Sequence, residues 1–250
     1  MQILVVGLGH VGKPIYELFK GKYDQVAGLD IGISKGKVTP PVDFLHICFG
    51  YGDSFEKDTL GYIQEYNPRI TVIESTVPVG TTRSIFEKTR RPVFHSPIKG
   101  NEKDGMMWGL LNYTKFIGSP DKSLQSKAEE LQEHFKSAEV KALLAGDSNS
   151  TELAKLLETT YYALMIAFFQ EIDRMCTSLK ADFEIVSKFQ ALTTQESGHR
   201  HLRPVFYPGI IGGHCLIPNA QLLESEYDSP FIKAILESNN KKIKLDQAKK

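Results

Sequence analysis

A glycine-rich turn close to the N-terminus is the feature that most constrains how this chain folds. The turn contains Gly7, Gly9 and Gly12, and it lies between an apolar run, Ile3–Val6, and a helical pattern, Val11–Lys20. Glycines at this spacing permit a tight turn, a close approach of the backbone to a phosphate group, and close packing of the helix on the strand. The start of the helix also attracts anions. The pattern therefore predicts a strand, a turn and a helix that bind a pyrophosphate.

An acidic residue completes this pattern. The run Gln25–Asp30 ends in Asp30, eighteen residues after Gly12, where a carboxylate accepts hydrogen bonds from adenosine ribose hydroxyls and repels a 2′-phosphate. We therefore expect a Rossmann domain that binds NAD in preference to NADP. The alternative is a glycine turn in a Rossmann-like domain that binds another ligand or none. The expected cofactor contacts are Gly7, Gly9, His10, Val11, Gly12 and Asp30.

Residues 1–147 alternate short β-branched runs with helical patterns, which is typical of a doubly wound parallel sheet covered by helices on both faces. The expected strands are Ile3–Val6, Gln25–Asp30, Phe44–Phe49, Ile70–Ser75, Pro92–His95, Lys115–Gly118 and Val140–Leu144. The expected helices are Val11–Lys20, Thr59–Tyr66, Thr81–Lys88 and Ser123–His134.

Residues 148–250 predict a second, all-α domain. Asn149, with Glu152 three residues later, resembles a capping box at the start of a long amphipathic helix. Further helices are expected over Phe183–Leu192 and Pro230–Lys250, and an ordered loop over Leu202–Asn219, which is rich in Pro and Gly. The long helix has more apolar surface than a small helical domain should expose, which predicts a homodimer. Its apolar residues recur at helical spacing: Leu153, Leu156, Leu157, Tyr161, Leu164, Met165, Phe168, Phe169 and Ile172.

Composition narrows the class of partner. The 30 Lys and Arg balance the 30 Asp and Glu, which argues against nucleic acid or an anionic membrane as a partner and favours a small molecule. Three widely spaced cysteines predict neither a disulfide framework nor a zinc site, and a reducing cytoplasm fits them best. The first apolar run is too short for a signal peptide or a membrane span.

Four further segments resemble the UDP-glucose/GDP-mannose dehydrogenase family, the nucleotide-sugar 6-dehydrogenases. The segment from Glu74 to Thr82, with the sequence ESTVPVGTT, resembles the strand-to-loop segment in which a threonine, here Thr76, lies near the nicotinamide and the reacting carbon. His95-Ser96-Pro97 resembles the start of the family's substrate loop. The segment from Glu152 to Ile172 resembles its long helix before the dimerisation domain. Pro208 to Cys215, with the sequence PGIIGGHC, is similar to the glycine-rich loop of the nucleophilic cysteine.

This resemblance implies an NAD-dependent oxidation of the primary alcohol of a sugar, with a nucleotide sugar as the expected substrate. A thiolate holds the aldehyde level as a thiohemiacetal between two hydride transfers, and Cys215 is the candidate for that role. Lys155 is implied to stabilise developing oxyanion charge, with Thr159 one turn later. The alternative for Cys215 is a buried structural cysteine, and for Lys155 a solvated position on a polar helix face. Cys48 and Cys176, in strand and helix patterns, are expected to lie in cores.

The chain also departs from the family at positions that concern the chemistry. The family's loop commonly continues Ser-Pro-Glu, whereas this chain has Ile98. Thr159 replaces an asparagine, and Asn219 replaces an aspartate that is expected to act as a base, so the second oxidation and the hydrolysis of a thioester are in question. Glu102 falls near a second family carboxylate, although its surroundings differ.

The chain is also shorter than family members, which carry another nucleotide-binding domain. Three hypotheses remain open on these grounds. They are an active NAD-dependent dehydrogenase, a non-catalytic NAD-binding dimeric scaffold, and a single-step dehydrogenase acting on a smaller sugar.

Overall fold

The computed structural model describes residues 1–100 and 103–248, and the chain divides into two compact units, Met1–Lys155 and Leu156–Lys250. Glu102, a candidate carboxylate, and Lys249 and Lys250, at the end of the last expected helix, lie outside the described residues.

The first unit is built on an eight-stranded sheet of order β3-β2-β1-β4-β5-β6-β7-β8. Neighbouring strands are parallel except at two places, β2 with β3 and β6 with β7. The predicted parallel sheet is confirmed apart from these pairs. The strands are β1 (Gln2–Val6), β2 (Gln25–Asp30), β3 (Ile33–Lys35), β4 (Phe44–Ile47), β5 (Ile70–Ile73), β6 (Val93–His95), β7 (Lys115–Ser119) and β8 (Ala142–Asp147).

Helices cover both faces of this sheet, as the apolar runs of the inner strands require. In β1, Ile3 and Val5 pack into one core, which includes Phe19, whereas Leu4 and Val6 pack into the other core. The doubly wound architecture is therefore confirmed. The helices of this unit are α1 (Gly12–Lys20), α2 (Phe55–Tyr66), α3 (Thr81–Thr89), α4 (Met106–Asn112) and α5 (Gln125–Ser137), and α5 follows a 3-10 turn over Lys122–Leu124.

The second unit contains helices and no strand within its described residues, 156–248. Helix α6 begins in the first unit and continues through the second. The helices are α6 (Ser148–Leu179), α7 (Phe183–Glu196), α8 (Leu216–Glu226) and α9 (Pro230–Gln247).

The apolar stripe predicted on α6 is only partly buried. Leu156 and Phe169 are fully buried, but Leu157, Tyr161 and Phe168 are 47%, 60% and 52% exposed. Over the described part of the chain, no helix has the length and apolar character that a membrane span requires.

Two expectations about helix starts are wrong. Asn149 and Glu152 do not form a capping box, because the Glu152 carboxylate accepts hydrogen bonds from the start of α3. The backbone N–H and hydroxyl of Ser150 instead bind the Asp147 carboxylate. The expected loop over Leu202–Asn219 ends early, because α8 begins at Leu216. Pro218 suggested a loop, but it occupies the first turn of a helix, where the N–H that proline lacks is not needed.

Candidate cofactor-binding and catalytic residues

The glycine turn has the geometry of a phosphate cradle. Gly7 adopts a φ of +88°, and a Cβ there would lie 2.6 Å from the Phe49 nitrogen. A Cβ on Gly12 would lie 1.6 Å from the Gly7 carbonyl oxygen, so α1 packs on this turn only because Gly12 is a glycine. No atom lies within 4 Å of a Cβ built on Gly9. Two glycines thus permit close packing and the third leaves open space, which fits the pyrophosphate of NAD.

Asp30 lies at the end of β2, beside this turn. Its Oδ2 accepts a hydrogen bond from the Leu8 N–H at 2.6 Å, and its Oδ1 accepts one from the Ile31 N–H at 2.7 Å. These two bonds fix the carboxylate, and the remaining lone pairs suit the hydroxyls of an adenosine ribose. His10 is exposed, and Val11 precedes the first residue of α1.

Thr76 is half-buried in the segment that follows β5. Just before it, the Ser75 hydroxyl donates a 2.6 Å hydrogen bond to the Phe49 carbonyl, close to the glycine turn. The first unit therefore places the Thr76 segment next to the residues that pack against Gly7.

A polar cluster lies inside the apolar core of the first unit. It consists of the buried residues Glu74, His46, Lys115 and His134. Glu74 binds the ring of His46, with 3.0 Å between Oε1 and Nδ1, and accepts a hydrogen bond from Lys115 Nζ. Lys115 also donates to the Ser96 carbonyl at 2.6 Å. Burial by itself raises the pKa of Glu74, but Lys115 and His46 bring that pKa below its usual value. The cluster joins the ends of β4, β5 and β6 to β7.

The start of the expected substrate loop is also buried. The two ring nitrogens of His95 lie 2.9 Å from Thr151 Oγ1 and 3.2 Å from the Ser75 carbonyl oxygen. Burial lowers the pKa of His95 to about 3, although the Ser75 carbonyl acts in the opposite direction. His95 is therefore a neutral ring that packs the loop. Ile98, where the family commonly has glutamate, is buried in the apolar core.

Glu152 connects helix α6 to the loop after Thr76. Its carboxylate is fully buried and accepts hydrogen bonds from the Gly80 N–H at 2.7 Å, the Thr82 N–H at 2.8 Å and the Thr82 hydroxyl at 2.6 Å. Lys155 is half-buried one turn later on α6. This contact holds the helical turn that carries Lys155 beside the segment that carries Thr76.

The remaining candidates lie in the second unit, where Cys215 is an exposed thiol at the residue before α8. Asn219 is on the first turn of α8, and its side-chain nitrogen donates to Thr159 Oγ1 at 3.1 Å. The structure thus brings Thr159 and Asn219 together at the start of the helix that follows Cys215. The alternative that Cys215 is a buried cysteine is wrong.

Cys48 and Cys176 are buried, as expected. Burial raises the pKa of the Cys48 thiol well above its usual range, and the neighbouring Glu74 adds to that effect. Over residues 1–100 and 103–248, no group of three or more His, Cys, Asp or Glu side chains is placed to hold a metal ion.

Two side chains that hold the loop before Cys215 were not predicted from the sequence. These are Gln170 on α6 and Asn239 on α9, which bind the backbone of Gly209 and Ile211. One signal was available, since Asn239 follows buried Ile235 at helical spacing and so falls on an apolar face.

Comparison with known proteins identifies related sequences and folds. Residues 149–241 match the central domain of the UDP-glucose/GDP-mannose dehydrogenase family. UDP-N-acetyl-D-mannosamine dehydrogenase of Methanococcus vannielii is 24% identical over 96% of this chain and 65% of its own length. UDP-glucose 6-dehydrogenase of Campylobacter jejuni is 31% identical over 73% of this chain and 47% of its own length. The solved structure of the Pyrococcus horikoshii UDP-D-ManNAc dehydrogenase has a TM-score of 0.76 at 21% identity, covering 96% of this chain and 68% of that one. The chain thus spans about 65% of the length of the Methanococcus relative.

Proposed function

Because this chain belongs to the UDP-glucose/GDP-mannose dehydrogenase family, we propose that it is an NAD-dependent oxidoreductase acting on the primary alcohol of a sugar. A nucleotide sugar is the proposed substrate class, because the aligned relatives are named for such substrates. The observation that carries the cofactor assignment is the turn in which Gly7 and Gly12 pack closely, Gly9 borders open space and Asp30 is held by the Leu8 N–H.

NAD, when bound, supplies the hydride acceptor for the oxidation. The residues proposed to hold it are Gly7, Gly9, His10, Val11, Gly12 and Asp30, with Thr76 near its reactive end. The start of α1 favours the negative charge of the pyrophosphate.

Cys215 is the proposed nucleophile. The alcohol first loses a hydride and a proton to become an aldehyde. The thiolate of Cys215 then forms a bond to the aldehyde carbon, and the aldehyde oxygen takes up a proton to give a thiohemiacetal. Loss of that proton and of a second hydride, which a second NAD molecule would accept, leaves a thioester, which water converts to an acid and the free thiol. The start of α8 favours negative charge on a side chain beside it, which supports Cys215 in this role.

Lys155 and Thr76 are proposed to stabilise and orient the reacting oxygen. Thr159 and Asn219 supply hydrogen bonds, but neither takes up a proton at neutral pH. The exposed apolar residues of α6, Leu157, Tyr161 and Phe168, support a homodimer. Sedimentation of the purified chain as a monomer would contradict that part of the proposal.

A second candidate function is a non-catalytic NAD-binding scaffold. It is favoured by Ile98, which is buried where a carboxylate is expected, and by Asn219, whose amide donates to Thr159 in place of a base. The two candidates predict the same cofactor affinity but differ in turnover.

The test is the formation of NADH by the purified chain with a panel of UDP-sugars, GDP-sugars and free sugars. The parent is compared with Cys215→Ser, and Cys176→Ala is the control because Cys176 is buried away from solvent. We expect turnover with a nucleotide sugar that is lost in Cys215→Ser and kept in Cys176→Ala. Binding of NAD without turnover on any substrate would favour the scaffold instead.

A further inference from the structure

A buried polar network binds the first part of the loop that ends at Cys215. Gln170 is 1% exposed, and its Nε2 donates to the Gly209 carbonyl at 2.7 Å. Asn239 is 5% exposed, and its Oδ1 accepts from the Ile211 N–H at 2.7 Å, while its Nδ2 donates to the Ile211 carbonyl at 3.4 Å. Two side-chain amides therefore bind three backbone groups of the segment from Gly209 to Ile211.

The orientation of Gln170 is fixed by further contacts. Its Oε1 accepts a 2.7 Å hydrogen bond from the Ser238 hydroxyl, which in turn accepts one from Arg174 at 2.7 Å. Arg174 is held by the Glu171 carboxylate. Because Oε1 faces Ser238, the Nε2 of Gln170 must face Gly209. The direction of donation thus runs from Arg174 through Ser238 and Gln170 to the loop backbone.

The segment after this anchor has little packing of its own. Gly212 and Gly213 follow Ile211, no atom lies within 4 Å of a Cβ built on either, and Gly213 has a φ of +78°. Glycines in open space are free to adopt many conformations. The chain between the anchor at Ile211 and the start of α8 therefore includes two glycines with open space beside them, so the anchor limits how far this part of the loop can shift.

We infer that Gln170 and Asn239 are positioning residues that keep the thiol of Cys215 at the start of α8. This inference rests on the proposed function, in which Cys215 is the nucleophile. Neither amide needs to touch the substrate. Their effect passes through the loop backbone, because a loop released at Ile211 lets the cysteine leave the helix end that favours its thiolate.

The test compares two neighbouring asparagines. Asn239→Asp keeps the size of the side chain but turns a carboxylate oxygen toward the Ile211 carbonyl. The hydrogen bond from Nδ2 to that carbonyl is therefore lost. Asn240→Asp adds the same charge one residue away on the exposed side of α9. Ser238→Ala is a second variant that adds no charge. It frees the orientation of Gln170 and also removes the hydroxyl that accepts from Arg174.

The readout is the rate at which iodoacetamide alkylates each cysteine, measured by mass spectrometry as a function of pH. For Cys215 in Asn239→Asp we expect a rate at neutral pH lower by about fivefold or more, a profile displaced to higher pH, and convergence with the parent in alkali. Ser238→Ala should change the rate in the same direction but less, and Asn240→Asp should match the parent. Buried Cys48 and Cys176 should stay protected in every variant.

Unchanged rates and profiles in Asn239→Asp and Ser238→Ala would overturn the inference. So would a parallel gain of reactivity at Cys48 or Cys176, since that result means general loosening and a merely structural role. Turnover is measured on the same samples. If the parent forms no NADH with any sugar while the Cys215 profile still shifts, the proposed function fails and the positioning role stands.

Discussion

The two units fix their functional backbone by different means. In the first unit, the turn proposed to hold the cofactor is set by backbone packed on backbone, with Gly12 against the Gly7 carbonyl. In the second unit, the loop before Cys215 is set by the side-chain amides of Gln170 and Asn239. Close packing tolerates almost no added volume, whereas a hydrogen-bonded anchor weakens by degrees. Cofactor binding should therefore respond to substitution abruptly, and thiol reactivity gradually.

The two units also differ in how completely their apolar side chains are buried. The inner strands of the first unit are entirely buried, as in Phe44–Ile47 and Ile70–Ile73. Large apolar side chains of α6 and α7 in the second unit face solvent. One core cluster of that unit has four buried residues, Ala163, Ala167, Ile211 and Ile235, with Leu164, Ile166, Leu216 and Ile217 partly buried against them. The first unit has the core of an independent domain, whereas the second unit exposes large apolar side chains to solvent.

The largest effect should come from Gly12→Ala. The added methyl would lie 1.6 Å from the Gly7 carbonyl, so α1 must move off the sheet. We expect a loss of more than about 3 kcal/mol in the free energy of unfolding and the loss of NAD binding. Denaturant unfolding and calorimetric titration with NAD measure the two effects.

Gly9→Ala is the matched control for this substitution, because no atom lies within 4 Å of its added methyl. It should keep the stability of the parent while reducing NAD affinity, since the methyl enters the space proposed for the pyrophosphate. Equal unfolding free energies for Gly9→Ala and Gly12→Ala would show that close packing at Gly12 does not hold this turn. The proposed difference between the two units would then be lost.

A smaller effect is expected for Glu152→Gln, which tests whether buried hydrogen bonds matter in the first unit too. The amide nitrogen of glutamine would face an N–H at the start of α3 and leave a buried donor without an acceptor. We expect a loss of about 2 kcal/mol. Glu158→Gln, on an exposed position of the same helix, should change the unfolding free energy by less than about 0.5 kcal/mol. A similar loss of unfolding free energy in both variants would show that the buried hydrogen bonds of Glu152 contribute no more to stability than an exposed side chain does.

The smallest effect should be the response of the first unit to mild acid. Burial lowers the pKa of His95 to about 3, and burial together with His46 lowers that of His134 to about 2. The unfolded chain takes up these protons near the ordinary histidine pKa of 6.5. The stability that the two neutral rings contribute is therefore complete above that pH and is lost as the pH falls toward 3. We expect a loss of about 0.7 kcal/mol per histidine between about pH 7 and about pH 6.

Urea unfolding at the two pH values measures this loss. His134→Phe removes one titrating ring while keeping an aromatic side chain against Phe44, whose ring stacks on His134 at 3.7 Å between centroids. The variant should lose less stability in acid than the parent does. An identical acid response would remove His134 as a cause.

Much of the fold was predictable because its signals are local. Short apolar runs located seven of the eight strands, and the glycine spacing predicted the close packing of α1 on the turn. The predictions that failed concern contacts between residues far apart in the sequence. Glu152 satisfies a local capping rule, yet its carboxylate binds Thr82, seventy residues earlier.

Helix α4 was missed for a similar reason. It is short and, apart from Asn112, has no polar side chain, so it has no periodicity to detect. Its Gly109 is explained only by the Lys99 carbonyl, which would lie 2.1 Å from a Cβ. In the candidate site, single residues such as Cys215 could be proposed from the sequence, but the amides that hold its loop could not, because their partners are backbone groups on another segment.

The buried cluster of Glu74, His46, Lys115 and His134 has a consequence for how this sequence can change over evolution. Removing one charged member leaves the others buried without compensation, which is far more costly than replacing the whole set by apolar residues. Their substitution free energies should therefore not add. Natural variants are expected to keep the charged pair Glu74 and Lys115 or to exchange both together, so homologous chains should fall into two groups with few intermediates.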